Sequence, residues 1–306
     1  MKQTVWVTGA AGFTGRFMIE ALQAQGDDVR VVGLDVAAPP AHAADAFFAI
    51  DLCEPGSLRR AIGQAPPDVV IHLAGLMPPR SEAEMRRVNV EGSVALGAAL
   101  IEAGVEGVRV VSAGSAAEYR GGGAGAISEQ SPIGSDSPYG RTKSEQSERL
   151  LQLAAESGLS VLIARPFNLL GPGLSAHLVA GALCQQFMTN GQRGYIRPKG
   201  PTESVRDFID VRDVVSAYWD LAQKGESGEV YNVCTGIGTP VARIVEILEE
   251  AFGMTVEVRP DYDPELVRPS ASIGDNGKLV ALGWQPRISL EESVRSLVRA
   301  ARGEGP

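Results

Sequence analysis

The start of the chain contains the pattern that most restricts how it can fold. An apolar run of strand type at residues 4–7 leads directly into Thr8-Gly9-Ala10-Ala11-Gly12-Phe13-Thr14-Gly15, with a glycine at every third place from Gly9. Apolar residues then recur at helical spacing until about Gly26. Glycines in such a turn permit a tight bend, close approach of backbone N–H groups to an anion, and close packing of helix against strand. The pattern predicts a strand, a turn and a helix that open a parallel α/β sheet.

A second predicted strand, residues 29–34, ends in Asp35, which lies 20 residues after Gly15. At this distance an acidic side chain accepts hydrogen bonds from the adenosine ribose of a bound dinucleotide. Asp35 would also repel a 2'-phosphate, and no arginine directly follows it. We therefore expect NAD(H) to be preferred, with NADP(H) as the alternative, and a simple turn aspartate as the competing interpretation. The residues expected to hold this cofactor are Gly9, Gly12, Phe13, Thr14, Gly15 and Asp35.

Further apolar runs at residues 46–50, 68–73, 108–112 and 160–164 alternate with predicted helices, which indicates a parallel sheet with its ligand at the carboxyl edge. We predict an α/β fold, a doubly wound parallel sheet (Rossmann) with a smaller C-terminal substrate-binding lobe. Residues 1–168 form the NAD-binding domain, to which residues 208–233 return. Residues 169–207 and 234–306 form the lobe.

Composition excludes several classes of protein. The 306 residues carry a net charge of -9, which argues against a nucleic-acid surface. The three cysteines are odd in number and far apart, which suits reduced thiols in the cytoplasm. The histidines, His42, His72 and His177, pair with no cysteine or acid at metal-ligand spacing, so we expect no metal site. No apolar run has the length of a membrane span, and we expect no membrane partner.

A candidate catalytic pair lies at the start of a predicted helix that runs to about Gly158. Ser137 is typical of an N-cap and Pro138 of the first helical residue, so Tyr139 and Lys143 share one helix face. A phenol titrates near pH ~10, and a nearby cation favours its ionised form. For an isolated pair, a helix-start aromatic beside a solvated lysine is the usual interpretation. The other motifs of this chain favour catalysis instead.

Two more segments follow predicted strands. Ser115, just past the strand at residues 108–112, is well placed to donate a hydrogen bond to a substrate oxygen. The glycine-rich loop at residues 120–128 either orders over substrate or is a loose connector, and both interpretations stay open. His72 lacks an obvious partner in the sequence, so we expect it to shape the strand end rather than to act as a base.

These motifs together resemble a known family. The sequence Gly9-x-x-Gly12-x-x-Gly15, Asp35, Asp51-Leu52, His72-Leu73-Ala74-Gly75, Asn89-Val90-x-Gly92, Ser115 and Tyr139-x-x-x-Lys143 is similar to the extended short-chain dehydrogenase/reductases that modify nucleotide sugars. The resemblance covers nearly the whole chain. The segments 165–173, 205–213, 230–239, 268–270 and 283–286 are most similar to the GDP-mannose branch, and specifically to its GDP-4-dehydro-6-deoxy-D-mannose reductases.

The resemblance implies roles for individual residues. Tyr139 is the acid/base, Lys143 lowers its pKa and holds the nicotinamide ribose, and Ser115 binds the reacting sugar oxygen. Further cofactor contacts are implied for Asp51, Leu52, Leu73, Ala74, Gly75, Asn89, Arg165 and Pro166. The nucleotide diphosphate is assigned to Asn168, Arg206 and Arg268, with ion pairs to surface acids as the alternative for each arginine. A homodimer packed through helices 81–103 and 138–157 is also implied.

The expected reaction is reduction of the C4 ketone of a nucleotide-linked 4-dehydro-6-deoxyhexose, most simply GDP-4-dehydro-6-deoxy-D-mannose to GDP-D-rhamnose. A nucleotide-sugar 4-epimerase with retained NAD is the alternative, because it needs the same groups. A 4,6-dehydratase is less favoured, since Ala117 stands where such enzymes have a glutamate base. A non-catalytic dinucleotide sensor is the remaining alternative. Arg120 stands where the family has a glycine, so the covering loop differs from that of the family. The segment after Ser270 is short for the family, which leaves the nucleotide base open.

Overall fold

The computed structural model describes residues 2–37, 44–121, 125–190 and 193–304, without the side chains of Asp27, Pro55 and Asn190. His42 and residues 122–124 of the glycine-rich loop therefore lie outside the described residues. The strands are β1 Gln3–Thr8, β2 Val29–Asp35, β3 Ala46–Ala49, β4 Val69–His72, β5 Arg109–Ala113, β6 Ser160–Pro166, β7 Asn168–Leu170, β8 Tyr195–Ile196, β9 Val205–Asp210, β10 Val230–Val233, β11 Gly238–Pro240, β12 Glu257–Val258 and β13 Ala271–Ser272. The α-helices are α1 Phe13–Gln23, α2 Pro55–Gln64, α3 Glu82–Arg86, α4 Ser93–Glu102, α5 Pro138–Ser157, α6 Val179–Asn190, α7 Val211–Lys224, α8 Val241–Phe252, α9 Gly277–Val280 and α10 Leu290–Ala301.

A seven-stranded parallel sheet forms the centre of the molecule. Its strand order is β10-β6-β5-β4-β1-β2-β3, and every neighbouring pair is parallel. The order reverses between β1 and β4, which is where a doubly wound sheet opens a ligand crevice at its carboxyl edge. The predicted Rossmann fold is confirmed.

Two apolar layers cover the two faces of this sheet. One layer packs α1 and α7 against inward side chains such as Val5, Val7 and Ile71. The other packs α2, α4 and α5 against side chains such as Trp6 and Val70. Because both faces are buried, β4 is buried along its whole length, and all its residues except His72 are apolar, as is typical of a central parallel strand. The carboxyl ends of the strands remain the open edge of the sheet.

The helix predicted at residues 81–103 is not a regular α-helix throughout. It starts at Ser81, whose side chain forms a reciprocal capping box with Glu84. Between α3 and α4 the residues Arg87–Gly92 form a π-helical turn. Such turns are rare and occur mostly at functional sites, because the extra residue rotates the side chains that follow. Asn89 lies in this turn.

Helix α5 has the ends that the sequence predicts. The Ser137 hydroxyl accepts a hydrogen bond from the Gly140 N–H at 3.0 Å, and Pro138 is the first helical residue. Gly158 ends the helix in the left-handed conformation with φ 76°, which glycine adopts without strain. These caps fix the register of the helix and place Tyr139 in its first turn.

The second lobe packs around α6, α8 and α10, with buried side chains including Phe187, Phe208 and Ile244. Two small sheets lie beside them, one of β7, β9, β11 and β13 and one of β8 and β12. The sequence did not predict β9 as a strand, and residues 208–210 lie in it, whereas α7 and β10 belong to the central layers. The exact division into domains stays a prediction.

Within the described ranges no helix combines the length and the apolar character that a membrane crossing needs. Cys53, Cys184 and Cys234 all have free thiols.

Candidate functional site

A cavity of about 230 Å³ opens at the carboxyl edge of the central sheet, above β1, β4, β5 and β6. It brings together most of the residues predicted from the sequence. The predicted residues that line it are Gly9, Gly12, Phe13, Thr14, Gly15, Leu73, Gly75, Asn89, Tyr139, Lys143 and Pro166. The walls that the sequence did not predict are Leu76, Met77, Ala113, Gly114, Leu169, Ser175, Leu178 and Tyr218.

The glycine turn on one side of this cavity has the shape of a diphosphate cradle. Gly9 has φ 69°, and its carbonyl accepts the Gly12 N–H at 2.9 Å. A Cβ on Gly15 would stand 2.1 Å from the Gly9 oxygen, so only glycine fits there. No side chain caps the N-terminus of α1. Its first N–H groups therefore face the cavity edge without a capping side chain, which suits an anion.

Asp35 lies at the end of β2 beside this turn. One carboxylate oxygen accepts the Ala11 N–H at 3.0 Å and the other accepts the Ala37 N–H at 3.3 Å. These contacts fix the carboxylate next to the glycine turn, where a cofactor ribose is expected. Asp51 is held farther along by the Cys53 N–H and by Arg87, and the neighbouring Leu52 side chain is buried.

Asn89 joins the loop after β4 to helix α5. Its side chain accepts the Leu76 N–H at 2.7 Å and donates to the Leu76 carbonyl and to Thr142. Thr8 holds the start of the same loop, since its hydroxyl accepts the N–H groups of Leu73 and Ala74. These hydrogen bonds hold the loop against the glycine turn.

His72 is a buried structural residue. Its ring nitrogens lie 2.7 Å from the hydroxyls of Thr8 and Ser93, partners that the sequence alone did not reveal. Burial, with a smaller contribution from Lys143, lowers the pKa of His72 to about 3. The imidazole is therefore neutral at physiological pH, which agrees with the expectation that it is not the general base.

Ser115 and Tyr139 lie close together near the carboxyl end of β5. Burial and the negative charge of Glu118 raise the pKa of the Tyr139 phenol, and the nearby Ser115 side chain lowers it by a smaller amount. Burial raises the pKa of Tyr139 to about 12. The Ser115 hydroxyl also accepts the Ala117 N–H at 3.1 Å. Tyr139 therefore carries its proton at neutral pH and can donate it.

The contacts of Lys143 differ from the expectation that it lowers the pKa of Tyr139. Its ammonium group donates to the Ala113 carbonyl and to the Gln146 side chain, and it is not among the groups that shift the Tyr139 pKa in this structure. Burial lowers the pKa of Lys143 itself to about 8, while Glu118 raises it. The structure thus does not show the predicted lowering of the Tyr139 pKa by Lys143, and this role of Lys143 stays a prediction.

Arg165 also differs from the expectation that it binds cofactor. Its guanidinium lies 2.8 Å from Glu118, and both side chains are buried. The guanidinium stacks 4.7 Å above the ring of Tyr119. A buried ion pair is costly to break, because the remaining charge would be left without a partner. The Arg165 side chain therefore supports the loop behind Ser115 and does not line the cavity.

Glu118 is the functional candidate that sequence reasoning missed. It follows directly after Ala117, and its carboxylate accepts the Ser115 N–H at 2.7 Å. Burial raises its pKa, and the Arg165 guanidinium opposes that shift. The only signal in the sequence was an acidic residue directly before Tyr119, at a position where a buried apolar side chain is usual. The carboxylate holds Ser115 from behind and does not reach the cavity.

The three residues predicted to bind the nucleotide diphosphate lie outside the cavity lining. Asn168 donates to the Asp207 carbonyl at 3.0 Å, which links β7 to β9. Arg206 donates to the carbonyl and hydroxyl of Ser270, only two residues after Arg268. Arg268 is exposed. Arg206 and the segment of Arg268 are thus neighbours on the second lobe, and neither arginine bridges an acid in the described part of the chain.

Over the described ranges no cluster of three or more His, Cys, Asp and Glu side chains could hold a metal ion.

Comparison with known proteins identifies this architecture. Residues 5–234 match the model of the NAD dependent epimerase/dehydratase family. The chain is 31% identical to the GDP-6-deoxy-D-mannose reductase of Pseudomonas aeruginosa, over 97% of each chain. Among solved structures, the RMD protein of Pseudomonas aeruginosa complexed with NADPH has a TM-score of 0.85 at 30% identity and covers 99% of this chain and 100% of its own. The Thermus thermophilus UDP-glucose 4-epimerase in complex with NAD has a TM-score of 0.84 at 27% identity, over 98% and 99%.

These matches confirm the resemblance that the motifs indicated, the enzyme class and the expected nicotinamide dinucleotide cofactor. The family match spans the glycine turn, Asp35, Ser115, Tyr139 and Lys143 and ends just after β10. The chain therefore belongs to the NAD dependent epimerase/dehydratase family.

Proposed function

We propose that this protein reduces the C4 ketone of a nucleotide-linked 4-dehydro-6-deoxyhexose, with GDP-4-dehydro-6-deoxy-D-mannose as the substrate and GDP-D-rhamnose as the product. The observation that carries the proposal is the grouping of Tyr139, Lys143 and the glycine turn around one cavity, with Ser115 close enough to Tyr139 to lower the pKa of its phenol. The GDP-linked substrate rests on similarity to the reductase of Pseudomonas aeruginosa.

Each group has a chemical task in this reaction. A bound nicotinamide cofactor supplies the hydride. Ser115 donates a hydrogen bond to the ketone oxygen and stabilises the negative charge that develops there. Tyr139, protonated at neutral pH, gives its proton to the same oxygen. Lys143, the nearest ammonium on the same helix face, then stabilises the tyrosinate.

The site lacks the base that a 4,6-dehydratase needs. Ala117 cannot remove a proton from C5. Glu118 is the nearest carboxylate along the chain, but it is fully buried and bound to Arg165 and to the Ser115 N–H. The acid behind Ser115 is therefore a support for the site, which favours a reductase or epimerase over a dehydratase.

Arg206 and Arg268 are proposed to bind the diphosphate of the nucleotide sugar. Burial lowers the pKa of Arg206, but a guanidinium remains charged at any pH at which the protein is folded. Its hydrogen bonds to Ser270 are to neutral groups, so its charge is uncompensated and available to an anion. This matters because the net charge of -9 repels such a substrate at long range.

The direct test is oxidation of NADH by purified protein with GDP-4-dehydro-6-deoxy-D-mannose, generated in place by a dehydratase. Stoichiometric oxidation with formation of GDP-D-rhamnose supports the proposal. No net oxidation, with cofactor retained through purification and a C4-epimerised sugar formed, would support the 4-epimerase instead. A screen of UDP-, dTDP- and CDP-linked sugars then separates a wrong nucleotide from a wrong reaction.

Cofactor preference is tested by removing the carboxylate of Asp35. In Asp35→Ala we expect NADH to bind about tenfold more weakly, because two hydrogen bonds to ribose hydroxyls are lost, and NADPH to bind more tightly. Asp68→Ala is the matched control, because its carboxylate also accepts a backbone N–H, from Thr4 at the start of β1. The measurement is the Kd ratio of NADH to NADPH by fluorescence titration. A ratio that Asp35→Ala leaves unchanged would contradict the assignment.

The rate of reduction should fall as the pH rises through the Lys143 pKa of about 8, because the uncharged amine no longer stabilises the tyrosinate. The negative charge of Glu118 raises the pKa of both Lys143 and Tyr139. In Glu118→Gln both values therefore fall, and the alkaline limb of the pH–rate profile moves to lower pH. Glu129→Gln is the control, since Glu129 accepts the Asn232 N–H and does not shift the Lys143 pKa. A limb that stays in place in Glu118→Gln would exclude this coupling.

We also propose the homodimer that the family resemblance implies, packed through residues 81–103 and 138–157. Within one chain these helices are joined by the ion pairs Arg86–Glu145 and Arg141–Glu82. Sedimentation of the purified protein tests the dimer.

A location in the cytoplasm stays a prediction from the unpaired cysteines.

A further inference from the structure

Tyr218 presents a hydroxyl to the cavity without a protein partner. It lies on α7, is only 1% exposed, and is one of the residues that line the cavity. Its hydroxyl makes no hydrogen bond to any residue that the structure describes. Two side-chain atoms in these ranges, Arg16 Nε and Ser147 Oγ, are fully enclosed without a partner, and the Tyr218 oxygen is not one of them. The small exposed part of Tyr218 therefore includes its oxygen, at the cavity surface.

The position of α7 explains how this phenol reaches the cavity. Tyr218 packs in the apolar layer that α1 and α7 form on one face of the sheet, opposite the face that α5 covers. Helix α7 is followed by Gly225 and a short connection to the start of β10, so its C-terminus lies at the amino edge of the sheet. Its N-terminus therefore lies at the carboxyl edge. Side chains on a helix lean towards its N-terminus, which directs the Tyr218 ring towards the cavity floor.

Tyr218 and Tyr139 thus approach the same cavity from opposite faces of the sheet. Burial raises the pKa of Tyr218, and the two phenols are close enough for the charge of an ionised Tyr139 to raise it further. Tyr218 is therefore always protonated at physiological pH and offers a neutral hydroxyl. An unpaired hydroxyl in such a place is costly, so a ligand group is expected to complete its hydrogen bonding.

The rest of the site identifies the part of the cofactor concerned. The glycine turn suits the diphosphate and Asp35 suits the adenosine ribose. The family resemblance implies that Lys143 binds the second ribose. The group left without a polar partner is the carboxamide of the nicotinamide ring, which has both a donor and an acceptor. We propose that the Tyr218 hydroxyl hydrogen-bonds this carboxamide and so positions the ring. This inference rests on the cofactor and does not depend on the sugar substrate.

The test compares two ligands that differ by the nicotinamide ring. In Tyr218→Phe, NADH should bind about tenfold more weakly, the usual effect of losing one buried hydrogen bond, whereas ADP-ribose should bind as it does to the wild type. Affinities are measured by isothermal titration calorimetry, so the result does not depend on turnover. An equal loss of affinity for both ligands, or no loss of affinity for either, would overturn the proposal.

Tyr231→Phe is the matched control. Tyr231 is also a buried tyrosine, but its hydroxyl accepts the Glu226 N–H at 2.9 Å. Without ligand, Tyr231→Phe should lower the melting temperature, because a backbone N–H loses its partner, while Tyr218→Phe should not. The NADH to ADP-ribose affinity ratio should be unchanged in Tyr231→Phe. Tyr218→Met is a second variant, and NADH binding to it that equals the wild type would also overturn the proposal.

Discussion

Replacing Tyr139 by phenylalanine is expected to lower the rate of ketone reduction by about 10²–10⁴-fold, the contribution of a positioned general acid. The phenyl ring keeps the packing of the first turn of α5, which Ser137 and Pro138 fix independently. NADH binding should therefore stay within about tenfold of wild type, because no more than a single hydrogen bond to the cofactor is lost. The measurements are kcat with the 4-dehydro sugar and the NADH Kd by titration.

Tyr119→Phe is the matched control for this experiment. Tyr119 is also buried, also has its pKa raised to about 12 by burial, and donates its hydroxyl to Asn232 at 2.7 Å. It lies behind Ser115 and does not line the cavity. Its variant should lose some stability and keep most of its kcat. Equal rates for Tyr139→Phe and the wild type would show that another group donates the proton, and the catalytic assignment would fail.

Local chemistry explains why much of the fold was readable from the sequence. The N-cap Ser137, Pro138 and the left-handed Gly158 specify α5 without any tertiary information. The glycine turn is equally local, since the backbone contact between Gly15 and Gly9 spans only six residues. Because these segments set the end of β1 and the start of α5, the groups on them meet at one edge of the sheet.

Tertiary contacts explain what the sequence did not reveal. The ion pair of Glu118 and Arg165 joins residues that are 47 apart in the chain, and the sequence around either residue does not indicate this pairing. His72 has two partners, of which Thr8 lies on a neighbouring strand and Ser93 on a helix. The π-helical turn at Arg87–Gly92 has no sequence signature comparable to a cap. Tyr218 reads as one more apolar position of an amphipathic helix until the cavity beside it is seen.

Strand β9 was missed for a related reason. Its six residues, Val205–Asp210, include three charged side chains, which weakens the apolar pattern of a strand. Asp207 and Asp210 are nevertheless buried, because backbone N–H groups of Thr235 and Gly236 bind the first and Arg212 binds the second. The polar groups are satisfied only by segments distant in the chain or by the helix that follows, so a reading of β9 alone could not assign them.

A Gly15→Ala substitution is expected to weaken cofactor binding by at least about a hundredfold, the largest loss that one methyl group should cause in this chain. The new Cβ would stand 2.1 Å from the Gly9 oxygen and 2.9 Å from the Ala10 Cα. Both are backbone atoms, so the turn itself has to open. Opening would break the hydrogen bond from the Gly12 N–H to the Gly9 carbonyl and move the first N–H groups of α1 away from the diphosphate.

Gly63→Ala near the end of α2 provides the control, because a Cβ there would meet nothing within 4 Å. That variant should be as stable as the wild type or up to about 1 kcal/mol more stable, since alanine favours a helix over glycine. Calorimetric titration with NADH and with ADP-ribose measures both variants. Gly15→Ala should lose affinity for both ligands alike, because both carry the diphosphate, whereas Tyr218→Phe should lose it for NADH alone. Retained affinity in Gly15→Ala would mean that the diphosphate does not bind at this turn.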